Sequence, residues 1–96
     1  MDSISQIQTK LKPIFQKYPV RRAVLFGSCA KGTMHEKSDV DIMVDSGLRG
    51  MAFFGLLEDV ASSLDMPVDL LDVTQIKRDS EVEREIRQSG VVIYEK

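Results

Sequence analysis

The sequence predicts an α/β (α+β) domain, a small mixed sheet with helices packed on it. Three observations predict it. Apolar positions at helical spacing alternate along the chain with short β-branched runs. Val40, Ile42 and Val44 interleave with Asp39, Asp41, Met43 and Asp45 at a period of two, as in a strand with one face on a core. The chain has 96 residues, 43% hydrophobic and 29% charged. That suffices for one core over residues 1–96 and is too little for two.

Each element follows from local pattern. Ile4, Ile7, Leu11, Ile14 and Phe15 recur at helical spacing behind Ser3, a plausible N-cap. Pro13 inside this pattern is expected to kink or split the helix, and Pro19 to end it. Val20 to Phe26 reads as a buried strand that stops at Gly27. Residues 28–33 have room for one helical turn, and 35–37 are loop-like. Val40 to Val44 is the next strand, and Ser46-Gly47 and Gly50 bracket a loop. Met51 to Leu64 is apolar at helical spacing. Pro67 restarts the chain as a strand through Val73. Thr74 to Gln88, charged with a sparse stripe of Ile76, Val82 and Ile86, reads as a surface helix stopped by Gly90. Val91 to Tyr94 is a last short strand.

Charge and composition exclude several classes. The net charge of −2 does not suit a nucleic-acid binder. The distribution is uneven, +5 over residues 1–37 and −7 over 38–96. A basic half beside an acidic half suits an anion held against a metal site, although solvated helix faces give the same count. Cys29 is the sole cysteine, which fits a reducing compartment. The polar N-terminus lacks a signal-peptide core, and no apolar run approaches the ~20 residues of a membrane span. The expected location is the cytoplasm, with no membrane and no direct nucleic-acid contact.

Two features carry chemistry. Gly27-Ser28-Cys29-Ala30-Lys31-Gly32 directly follows a strand. Gly27 permits a tight turn and close backbone approach. If Ser28 opens a helical turn, its hydroxyl and free N–H groups converge on one spot, suited to phosphate oxygens, with Lys31 adding charge. The second feature is Ser38-Asp39-Val40-Asp41. Its carboxylates project side by side and repel unless a cation lies between them. Mg²⁺ takes such oxygen ligands together with substrate phosphates. Asp69 on the later strand supplies a third carboxylate if the strands pair, making a site able to host two ions. Taken alone, each residue has a blander reading. Alternating aspartates serve solubility as readily as metal binding. Asp69 and Asp72 read as solvated, Asp45 as surface charge and His35 as an exposed loop residue. Cys29 reads as small packing, and Met51, Phe53 and Phe54 as helix packing.

Together, Leu25-Phe26-Gly27-Ser28 and Ser38-Asp39-Val40-Asp41-Ile42-Met43-Val44 resemble the signature of the DNA polymerase beta-like nucleotidyltransferases, with Pro67-Val68-Asp69-Leu70 similar to its third element. The short length and the ending Gly90-Val91-Val92-Ile93-Tyr94 resemble the minimal nucleotidyltransferase (MNT) family. The resemblance implies that Gly27 and Ser28, with Lys31 and Ser38, hold a nucleoside triphosphate. It implies that Asp39, Asp41 and Asp69 bind Mg²⁺, and that Asp69 helps deprotonate the acceptor. Many members carry arginine where Cys29 and Lys31 stand. Cys29 removes a phosphate-directed charge, and Lys31 keeps charge without the bidentate fork.

The resemblance also implies a partner, a HEPN-domain toxin that the MNT protein neutralises by attaching AMP from ATP to a tyrosine. The rival reading is a non-catalytic antitoxin that binds the HEPN protein and masks it. Transfer to a small molecule such as an aminoglycoside is a third reading, set against the lack of a second domain to form that pocket.

Overall fold

The computed structural model describes residues 4–27, 40–64 and 66–96. Helix α1 spans Ile4–Lys17 and buries Ile7, Leu11 and Phe15, one stripe at four-residue spacing. Pro13 does not split it, contrary to the expectation from sequence: the helix runs through as one element. Pro13 lies on the exposed side, and so does Thr9, whose carbonyl would have received the missing N–H. Water can satisfy that carbonyl, while burial of Phe15 beyond the proline holds the last turn in place. The end of α1 is tied down by the Tyr18 hydroxyl, which donates to Asp59 at 2.7 Å.

Four strands follow: β1 (Arg22–Phe26), β2 (Val40–Asp45), β3 (Val68–Asp72) and β4 (Val91–Glu95). They form one mixed sheet in the order β3-β2-β1-β4. β1 is antiparallel to both β2 and β4, and β2 is parallel to β3. The parallel pair needs a crossover, which α2 (Met51–Ser63) supplies. Along β1–β4 the register shifts between Ala23 and Val24. Ala23 faces Tyr94 and Val24 faces Val92, so Ile93 is the extra residue of a β-bulge.

The sheet has two apolar faces. On one, Leu25, Ile42, Val44 and Leu70 pack with the stripe of α1 and with Leu56 and Val60 of α2. On the other, Val24, Phe26 and Met43 form a smaller cluster with Leu71, Ile76, Val82 and Ile86. Val82 and Ile86 belong to α3 (Glu81–Ser89). The expected helix over Thr74 to Gln88 is therefore shorter than its pattern. Val73–Gln75 is a 3₁₀ turn capped by Asp72, and α3 begins only after Ser80, whose hydroxyl accepts the Glu83 N–H. Asp79 between them has φ 60° and interrupts helical geometry. The stripe Ile76, Val82 and Ile86 is apolar for the reason expected, since all three lie against the sheet.

Gly90 ends α3, with its N–H donating to the Ile86 carbonyl at 2.8 Å. Its φ is an ordinary −68°. Glycine is required here by close approach: a Cβ would overlap the Ile86 carbonyl oxygen and come within 2.7 Å of Val24 Cγ1. Among the described residues no helix is long and apolar enough to cross a membrane.

Candidate active site

The register of the sheet assembles the candidate site. Phe26 ends β1 opposite Asp41, and Asp41 is in turn the register partner of Asp69 on β3. Residues opposite one another share a face, so Asp41 and Asp69 both project on the side of the smaller cluster. Asp41 is half-buried and Asp69 exposed. Neighbouring strands lie ~4.8 Å apart, within reach of one shared cation. Without a cation, like charges on adjacent strands repel.

Gly27 lies against Asp41. Its φ is 78°, left-handed backbone that an L side chain adopts only at a cost. A Cβ there would stand 2.5 Å from Asp41 Oδ2. The Asp41 carboxylate thus lies directly on the Gly27 backbone, in a space that any side chain would fill. Two hard oxygen donors from adjacent strands, one seated against a bare backbone, suit a hard divalent cation.

The structure therefore places Gly27 and Asp41 in contact and Asp41 in register with Asp69. Ser28, Lys31, Ser38 and Asp39 lie outside the described residues, as do Cys29 and His35. Among the described residues no group of three His, Cys, Asp or Glu gathers into a metal cluster.

Other readings need correction. Asp72 is not solvated: it is 3% exposed and accepts four hydrogen bonds. Ser46 donates its hydroxyl to Oδ1 at 2.7 Å and its N–H at 3.2 Å. Thr74 donates its hydroxyl to Oδ2 at 2.7 Å and its N–H at 3.1 Å. Burial pushes the Asp72 carboxyl up, but these donors outweigh burial and hold it below the ordinary value. The Asp72 N–H also donates to Gln75, completing a capping box. The pattern Asp-x-x-Gln was the available signal. Met51 and Phe54 do not pack as expected: they are 83% and 50% exposed, and only Phe53 joins the core.

The fold is that of the nucleotidyltransferases of the polymerase beta type. The chain belongs to the polymerase beta nucleotidyltransferase family, whose pattern matches residues 9–96. Within it, the chain is similar to the protein adenylyltransferases. It is 35% identical over 83 residues to a Methanocaldococcus jannaschii protein of that name, covering 80% of this chain and 85% of that protein. It is 44% identical over 45 residues to another from the same organism, 47% of this chain and 48% of that protein. It is 45% identical over 51 residues to the protein adenylyltransferase MntA of Shewanella oneidensis, 51% of this chain and 37% of MntA. The chain thus matches about half or less of the last two relatives' lengths.

Solved structures agree. A toxin–antitoxin complex with AMP-PNP is 29% identical with a TM-score of 0.75, over 93% of this chain and 73% of that chain. The complex of a tri-AMPylated HEPN toxin with its MNT antitoxin, from Shewanella oneidensis, is 23% identical with a TM-score of 0.69. That alignment covers 97% of this chain and 73% of that chain, and shows the shared fold.

Proposed function

We propose that this chain is an antitoxin that transfers AMP from ATP to a hydroxyl, that of a tyrosine, on a partner HEPN toxin. The observation that carries the reading is the in-register pairing of Asp41 with Asp69 beside the bare backbone of Gly27. The named activity of its relatives supports the transferred group, and the toxin–antitoxin complexes among its structural neighbours support the partner.

The roles divide by chemistry. Gly27 and Ser28 hold the triphosphate by backbone and hydroxyl, and Lys31 and Ser38 are assigned to the same role. Asp39, Asp41 and Asp69 would hold Mg²⁺, two ions in all. Mg²⁺, when bound, supplies positive charge against the phosphate oxygens. Asp69 takes the proton of the acceptor hydroxyl. The hydroxyl oxygen forms a bond to the α-phosphorus, and the bond from that phosphorus to the bridging oxygen breaks. Pyrophosphate leaves with the electron pair. Catalysis here is positioning and electrostatics, so the carboxylates must be held before substrate arrives. The chain is read as a single minimal domain working in the cytoplasm, with the acceptor presented by its partner.

The test combines purified protein, HEPN partner, Mg²⁺ and ATP labelled at the α-phosphate, with an Asp39→Ala/Asp41→Ala control. Label on the partner, absent with the variant, is expected. One copy should then neutralise many copies of toxin. Equal suppression of toxicity by the variant at one-to-one stoichiometry, with no label, would instead identify a masking antitoxin.

A further inference from the structure

Among the described residues β3 is an edge strand, paired to β2 alone. The candidate site exists only while its register places Asp69 opposite Asp41. A slip of one residue would turn Asp69 to the opposite face. Apolar patterning usually forbids such a slip, but in Val68-Asp69-Leu70-Leu71-Asp72 it does so weakly. Leu70 packs in the large core and Leu71 in the smaller cluster, so a slip of one residue would exchange one leucine for another on each face. The strand also reads Asp-Leu-Leu-Asp, close to its own reverse. Backbone ladder bonds such as Val40 N–H to the Pro67 carbonyl form in any register.

Among the described residues, one set of side-chain bonds ties β3 to the segment after β2 in this register. We propose that Asp72 is a positioning residue: its Oδ1, held by the Ser46 hydroxyl and N–H beyond the end of β2, locks β3 so that Asp69 stands beside Asp41. The link joins residues 26 apart in sequence, within a buried site. The other oxygen, Oδ2, serves only the local turn through Thr74, two residues on. A shifted β3 would carry Asp72 away from Ser46 and leave a buried carboxylate short of donors, an expensive arrangement. The functional consequence rests on the metal reading of Asp41 and Asp69 given above, whereas the register itself does not.

The two halves of the carboxylate provide a matched test. Ser46→Ala and Thr74→Ala each remove one 2.7 Å hydroxyl bond to Asp72, but only the first ties β3 to the segment after β2; Ser46→Ala also frees the Leu48 N–H, which Ser46→Cys controls for. Cross-strand proton contacts between Asp41 and Asp69 are read by NMR, and binding of Mn²⁺ alone by electron paramagnetic resonance. Asp72→Ala is expected to lose the contacts and weaken Mn²⁺ binding by about tenfold or more. Asp72→Asn, which keeps an oxygen for Ser46, should restore most of both. Ser46→Ala should weaken both and Thr74→Ala neither. If Asp72→Ala does not fold, the Ser46 and Thr74 pair decides. Native contacts in Ser46→Ala, or equal losses in both, would overturn the clamp. If Asp69→Asn binds Mn²⁺ as the wild type does, the metal reading fails and the proton contacts alone judge the clamp.

Discussion

At position 27, conformation and proximity impose separate demands that only glycine meets. Gly27→Ala would face a left-handed φ costing about 1–2 kcal/mol and would push Asp41 Oδ2 aside. Urea unfolding should show a loss of that size. Transfer of labelled AMP should fall much further, because the displaced group is a proposed ligand. A variant that lost stability but transferred at the native rate would remove Gly27 from the site. Asp72 makes a different demand. Its folded carboxyl is held below the unfolded value of about 3.9, so its contribution is present at neutral pH. That contribution is lost as pH falls through the folded pKa. Urea midpoints should therefore drop from about pH 4 downward, and less steeply for Asp72→Asn. The contrast between these residues explains what could be read from sequence. Gly27 and Asp41 sit in a motif legible over a few positions. Asp72 resembled any surface aspartate, because Ser46, which justifies its burial, lies a crossover away.

At the level of elements, the apolar pattern located the α-helices and strands among the described residues, and packing and capping decide where they end. Pro13 shows packing overriding a local rule. Relieving the conflict should help: Pro13→Ala restores a missing helix bond at an exposed position and should stabilise the fold by about 1–3 kcal/mol. Chemical denaturation measures this directly, and a loss of stability would show that the proline fits its turn better than argued above. The 3₁₀ turn and α3 merged in the sequence reading because their apolar residues share one stripe. What separates them is capping by Asp72 and Ser80, a hydrogen-bonding pattern that periodicity does not register. Gly90 stops the helix, as its position in the sequence suggests, but for another reason. It makes room for Val24 and the Ile86 carbonyl, which no pattern within α3 announces.

Across the whole molecule, the proposed metal site couples function to folding. A cation that binds only the folded chain stabilises it by mass action, about 1.4 kcal/mol at tenfold its dissociation constant. Adding Mg²⁺ should raise the thermal midpoint of the wild type, and a chelator should reverse the gain. Asp41→Asn should show no rise; an equal rise would place the bound ion elsewhere. The sheet order has a consequence of its own. β1 is an inner strand, yet the neighbour on one of its sides, β4, is made after every other described element. During synthesis, β1 leaves the ribosome with that edge bare, and the edge stays bare until Val91–Glu95 emerges. For that interval the nascent chain presents an open strand of buried-type residues, Ala23 to Phe26, to any other extended segment nearby. Closing the sheet is then a late event that joins segments about 70 residues apart, β1 and β4.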